Sequence, residues 1–352
     1  MTETTTEFLT ITRPDDFHLH LRDGIGLFSV LPQTVRQFAR ALIMPNLRSP
    51  VTTAKLMREY YERILTALPK GSDFKPLMTL YLTDNTTPDE IRHAKHSGIA
   101  VAVKMYPIGV TTNSNEGVTD WQKCLPAFET MQEVGLTLSI HGEVSDPDVD
   151  IFDREAVFID KVLIPLRERM PELPIVLEHL TTKEGVDYIL SAKGKIGATV
   201  TPHHLLYNRN ALFKGGLHPH LFGAPILKKE SDRQALLSAA ASGNERFFAG
   251  TDSAPHARST KESLNAAMGC YTALHALELY AQAFEQRNAL DKLEAFTSLY
   301  GAQFYGLERN KGKVTLKRES WEIPEEVRFG NATTVPFAAG ETLSWKVVDN
   351  PE

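Results

Sequence analysis

The feature that most constrains this chain is an alternation of short apolar runs with stretches of helical period, repeated eight times. The runs are Phe17–Leu21, Arg40–Met44, Leu77–Leu82, Ile99–Lys104, Leu136–His141, Ile175–His179, Ile196–Thr201 and Phe247–Asp252. Several are apolar almost throughout, as strands covered on both faces are. Strands separated by helices pair in parallel, because each helix returns the chain across the sheet. Eight such units predict an α/β fold of the TIM-type (β/α)8 barrel, and 352 residues is an ordinary length for one.

The intervening segments carry helix signals. Thr87-Pro88-Asp89-Glu90 supplies a cap, a first-turn proline and a glutamate three residues past the cap, with Gly98 as a stop. Thr53–Leu68, Trp121–Val134, Arg154–Met170, Lys183–Ser191 and Ser231–Ala241 place apolar residues at helical spacing. Leu264–Gln286 reads as the helix after the last strand, and Asp291–Tyr300 as one more. The barrel core is expected over 14–305, with a C-terminal extension over 306–352 in the same single domain, 1–352. In that extension Lys313–Lys317 and Thr342–Val347 are strand-like and are expected to pair with Phe8–Thr12 beside the barrel, as a small accessory region.

A formal net charge of -6 offers no basic footprint for nucleic acid, so a small molecule is the expected partner. No apolar run reaches the ~18 residues of a membrane span, and the polar, acidic N-terminus does not read as a secretory leader. Cys124 and Cys270 lack metal-type spacing and read as free thiols, which fits a cytoplasmic protein.

Chemistry gathers at the strand ends. In Phe17-His18-Leu19-His20-Leu21-Arg22, strand alternation puts the apolar residues on one face and His18, His20 and Arg22 on the other. Adjacent neutral imidazoles suit a divalent transition metal, zinc above all. Lys104, His141, His179 and Asp252 terminate four other runs, where barrel enzymes collect catalytic groups. Each has an ordinary structural explanation alone, but together they exceed what one tetrahedral zinc needs. His218-Pro219-His220 and His203-His204 read as structural pairs that could still line the site mouth, because prolines beside them interrupt any strand.

These residues also carry a resemblance. DDFHLHLRDG at 15–24, MPNL at 44–47, KMYPIGVTTNS at 104–114, HGEV at 141–144, DREAVFI at 153–159, GTDSAPHAR at 250–258, FYGL at 304–307 and VPFAAGE at 335–341 resemble the amidohydrolase superfamily and, within it, the type II dihydroorotase family of bacteria and fungi. The resemblance implies two zinc ions per subunit, bridged by Lys104 carboxylated on its side-chain nitrogen and by a hydroxide. It implies His18, His20 and Asp252 on one ion, His141 and His179 on the other, and Asp252 as the catalytic acid–base. Arg22, Asn46 and His256 would grip a substrate carboxylate, with His20 and His141 also against the substrate. Thr111 and Thr112 would belong to a closing loop, and Ala224 and Met268 would offer backbone contacts. The implied reaction is the reversible, zinc-dependent cyclisation of N-carbamoyl-L-aspartate to L-dihydroorotate, in pyrimidine biosynthesis, by a cytoplasmic homodimer. Two alternatives stay open: a hydantoinase-like cyclic amidase, and a scaffold that keeps the barrel without metal.

Overall fold

The computed structural model describes residues 7–348, so the first residues of the stretch read as lacking a leader lie outside the described residues. After β1 (Phe8–Thr12), eight strands follow in order: β2 (Asp15–Leu19), β3 (Arg40–Ile43), β4 (Lys75–Tyr81), β5 (Ala100–Met105), β6 (Thr137–His141), β7 (Ile175–Glu178), β8 (Ile196–Val200) and β9 (Phe247–Ala249). All neighbours pair in parallel in sequence order. The ring closes just past the strand ends, where Asp252 N–H donates to the His18 carbonyl at 2.8 Å and His20 N–H to that of Ser253 at 3.1 Å. The eight-stranded α/β barrel is therefore the observed fold.

Two layers fill its interior. At one end Phe17, Leu42, Met44, Ala102, Val176 and Phe248 form an apolar plug with Ala302, and Phe17 stacks on Tyr305 at 5.0 Å. Gly301 permits this seal, since a Cβ there would lie 2.2 Å from the Phe17 ring. One pleat further along β5 and β7 the inward residues become Lys104 and Glu178, and the interior turns polar. The outward strand residues pack with the helices in the main core, which includes Ile43, Val103, Ile140, Leu177 and Ala249.

The accessory region forms as expected. β10 (Lys313–Glu322) lies between β1 and β13 (Thr342–Val348), antiparallel to both. Trp345, Leu316 and Ile11 join this sheet to the main core. Between β10 and β13 the Pro/Glu-rich stretch adds a hairpin, β11 (Val327–Phe329) with β12 (Ala332–Thr334).

Several expectations change. The first barrel strand does not alternate simply: its register shifts between Asp16 and Leu19, so Phe17 enters the interior plug while Leu19 and Leu21 join the outer core. The helix expected over 264–286 spans only Ala276–Glu285. Gly269, at φ 146, cannot be helical, and Ser253 bridges to Cys270 there instead. The helix Ile25–Gln37 was hidden by its internal Pro32. The helix read over 154–170 contains a π-turn at Ile159–Leu163, next to Pro165, whose missing N–H breaks the regular ladder.

Candidate metal centre

The barrel seam brings the predicted metal residues together at the carboxyl ends of the strands. His18, His179 and Asp252 each offer a ligand atom within 4.8 Å of one another. His20 Nε2 lies 3.0 Å from Asp252 Oδ1 and 3.4 Å from His18 Nε2. The His141 and His179 rings are 4.6 Å apart. Lys104 projects from the last residues of β5 toward this cluster, fully buried, with Nζ lacking any hydrogen-bond partner.

Reaching this arrangement strains the backbone. Arg22, His179 and Asp252 have φ values of 60°, 41° and 46°, a region that side chains other than glycine seldom occupy. All three lie beyond the ends of β2, β7 and β9, so their side chains are aimed by loop conformation. Strain of this kind persists where surrounding bonds over-determine it. Asp16 supplies such bonds: its carboxylate accepts from Thr251 N–H at 2.8 Å, Thr251 Oγ1 at 2.6 Å and His18 N–H at 3.1 Å. Gly250 lets β9 approach, because a Cβ there would sit 2.6 Å from Thr199 and 3.0 Å from His18.

Partners outside the cluster orient the imidazoles. Glu178 accepts from His18 Nδ1 at 2.9 Å and from Thr199 Oγ1 at 2.6 Å, and the same Thr199 oxygen accepts the His179 N–H at 2.7 Å. His18 thus keeps Nε2 for the centre. His141 Nε2 meets Glu143 at 2.8 Å, which leaves Nδ1 for the centre. Carboxylate–histidine pairs of this sort fix tautomer and ring orientation in metal sites.

The electrostatics divide the imidazoles: burial opposes a charge on His18, but Asp252 and Glu178 outweigh it and raise its pKa. Burial lowers the pKa of His20 to about 4 and that of His179 well below the usual value, so both are neutral donors. Burial opposes ionisation of Asp252, but His18, seconded by His20 and His179, holds its carboxyl well below the usual range. Burial also depresses Lys104 to about 8, against the pull of Glu178 and Asp252.

Above the cluster lies a narrow cavity whose walls include His18, His20, His141, His179 and Asp252. Arg22, Asn46, Thr111, Thr112, Ala224 and Met268 all line it, with Tyr106, Ala254 and Gly269. Arg22 donates through Nε to the Pro255 carbonyl at 3.0 Å and through Nη2 to His256 Nε2 at 2.8 Å. Nη1 and the second Nη2 proton remain as a fork. His256, held neutral by burial with Arg22 beside it, has its pKa lowered to about 2. It backs Arg22 rather than walling the cavity. Asn46 Nδ2 donates to the Thr112 carbonyl at 2.9 Å, and Asn113 Nδ2 to the Asn46 carbonyl at 3.0 Å, so Asn46 holds the 107–115 segment in place.

Of the two further histidine pairs, His218, His220 and His204 are held structurally, whereas the buried His203 leaves Nδ1 without a hydrogen-bond partner. His220 pairs with Glu262 at 3.0 Å and His218 with the Lys214 carbonyl at 2.7 Å. His204 is satisfied by Thr201 at 2.7 Å and the Pro225 carbonyl at 3.1 Å. Sequence reasoning gave no role to Asp16, Glu178 or Thr199. A glutamate closing the apolar run Ile-Val-Leu-Glu was the available signal for Glu178.

Comparison with known proteins agrees with this fold. The model of the amidohydrolase family matches residues 15–321. A dihydroorotase of Cupriavidus necator is 62% identical over 341 residues, 97% of this chain and 99% of that one. A dihydroorotase of Ralstonia pickettii is 61% identical, over 97% of this chain and all of that one (100%). Among solved structures, the dihydroorotase of Saccharomyces cerevisiae in complex with 5-fluoroorotic acid superposes with a TM-score of 0.90 at 34% identity, covering 98% of this chain and 100% of that one. The L-hydantoinase of Arthrobacter aurescens, at TM-score 0.77 and 13% identity over 96% of this chain and 82% of that one, shares the fold alone. By sequence, fold and the residues gathered at its strand ends, this chain belongs to the amidohydrolase family, among its dihydroorotases.

Proposed function

We propose that this chain hydrolyses and re-forms the cyclic amide of dihydroorotate, using two zinc ions held by His18, His20, His141, His179, Asp252 and a carboxylated Lys104. Dihydroorotase activity, that of a hydrolase acting on cyclic amides, follows from its relatives. The single observation carrying the metal assignment is the lysine. An ammonium with no hydrogen bond, buried beside the imidazoles of His18, His141 and His179, would be costly. A pKa near 8 leaves a share of neutral amine that can take up carbon dioxide. Carboxylation converts Lys104 into an anion that two cations can share, and nitrogen and carboxylate donors suit zinc.

When bound, the ions supply a water of lowered pKa, about 7, and polarise the amide carbonyl. The protein does the rest. Asp252, at the centre of the cluster, accepts the proton released by the attacking water and passes it to the departing ring nitrogen. The reverse path returns that proton when carbamoyl aspartate closes. The free edge of the Arg22 guanidinium, assisted by Asn46 and His256, grips the substrate carboxylate in a two-pronged contact. Thr111 and Thr112 close over the substrate, His20 and His141 flank it, and the backbone at Ala224 and Met268 completes the wall. A hydantoinase reading leaves the Arg22 fork without an anion to bind.

The same reading places the chain in pyrimidine biosynthesis, as a cytoplasmic homodimer. Among the described residues no helix is long and apolar enough to cross a membrane. Elemental analysis and sedimentation of the purified protein test the assignment, with two zinc ions per chain and a dimer as the expected results. A fully active protein holding a single ion per chain would refute the two-metal site.

A further inference from the structure

Lys261 is a buried cation that the chemistry above does not use. It ends the short helix Arg258–Lys261 and is 3% exposed. Its ammonium donates to the Phe222 carbonyl at 2.7 Å, the Ala267 carbonyl at 2.8 Å and the Gly269 carbonyl at 2.8 Å. An ammonium has three protons, and all three are committed. The titratable groups it acts on or answers to are the Cys270 thiol, Arg22, His256 and His203, none of them an ionised carboxylate. Burial raises that thiol to about 12, so it carries no compensating charge.

The three carbonyls are not scattered. Ala267 and Gly269 flank Met268, and Phe222 lies two residues before Ala224; Met268, Gly269 and Ala224 all wall the cavity. Met268 in turn meets the loop and the clamp, because its carbonyl accepts from Thr112 Oγ1 at 3.2 Å and His256 Nε2 lies 2.9 Å from it. Gly269 has no room to drift, since a Cβ there would already sit 2.7 Å from Ala254. The ammonium thus reinforces the link between the turn at 222–224 and the segment at 267–269, which Gly269 N–H also joins by donating to the Phe222 carbonyl at 3.0 Å.

We infer that Lys261 is a positioning residue for substrate binding: it fixes the backbone wall formed by Ala224, Met268 and Gly269 against Arg22, His256 and Thr112. The inference rests on the dihydroorotase reading. It assigns Lys261 to binding rather than to the bond-breaking step, because the ammonium touches neither the metal cluster nor Asp252. Charge-assisted bonds to three carbonyls are strong and directional, so their loss loosens the wall while leaving the cluster in place.

The test is Lys261→Met in the zinc-loaded full chain, with KM and kcat measured for dihydroorotate and for carbamoyl aspartate alongside metal content. KM should rise about tenfold or more in both directions, well beyond any change in kcat, with metal content at the parent level. If that variant fails to fold, Lys261→Gln, which keeps two donors, should show the same KM-selective loss in milder form. An unchanged KM in the variant that folds, or a loss confined to kcat, overturns the inference. A parent enzyme inert toward dihydroorotate overturns the functional reading instead, so the two failures are distinguishable.

Discussion

Replacing Arg22 by methionine separates carboxylate recognition from amide chemistry. The guanidinium is anchored by the Pro255 carbonyl at 3.0 Å and His256 at 2.8 Å, which leaves two parallel N–H groups for an anion. Hydrogen bonds to a charged group contribute about 1.5–3 kcal/mol each, so the pair amounts to about 3–6 kcal/mol. Arg22 is only partly buried in the cavity wall, and solvent screening places the loss near the lower end. That corresponds to a fall of ~10²–10³ in kcat/KM for dihydroorotate. Dihydrouracil has the same ring amide without the carboxylate, so its slow turnover should hardly change, and the specificity ratio should collapse by the same factor. Zinc content should stay at the parent level, because Arg22 makes no hydrogen bond to the cluster. The assay is the ultraviolet change on ring opening of each substrate, with parent and variant side by side. Equal turnover of the two substrates by the parent, or equal loss of both in Arg22→Met, would refute the clamp.

Other perturbations probe the centre and the fold. Asp252→Asn keeps an oxygen at the metals but removes the base, so turnover should fall ~10²–10⁴-fold while elemental analysis finds the ions largely retained. Lys104→Ala should lose at least one ion and nearly all activity, and added short carboxylic acids should restore part of both; full metallation of that variant would refute the bridge. His275, whose Nε2 lies 2.9 Å from the Phe337 carbonyl, has its pKa lowered from 6.5 to about 4, chiefly by burial. The unfolded imidazole takes up a proton below pH 6.5 while the folded one stays neutral, so stability is lost as pH falls from 6.5 toward 4. Between pH 6.5 and 5, urea unfolding of His275→Gln should show about 2 kcal/mol less loss than the parent; an identical loss contradicts the assignment.

What was legible in the sequence follows from what each signal depends on. Barrel strands covered on both faces write themselves as apolar runs, so all eight were visible, and so was the pairing of Phe8–Thr12 with the strand at 313–322. The six candidate metal residues were visible because Lys104, His141, His179 and Asp252 close such runs and His18 and His20 alternate within the first. Simple alternation failed at Phe17, because the register shift between the first barrel strand and β3 is a property of the pairing and leaves no local mark in the sequence. The segment 264–275 looked helical from its apolar spacing, yet its path is set by tertiary contacts, at Thr112, Ser253 and the buried ammonium of Lys261. Asp16 and Glu178 were missed for a related reason. Their partners lie 235 and 160 residues distant in sequence, and only the closed barrel brings them together.

The central claim, a metal-dependent dihydroorotase, is tested most directly by one assay of the purified protein with dihydroorotate and with carbamoyl aspartate, before chelation, after it, and after zinc is returned. Turnover in both directions, its loss on chelation and its recovery with zinc are the expected results. Absence of turnover by a fully metallated protein, or undiminished turnover after the ions are removed, would contradict that claim.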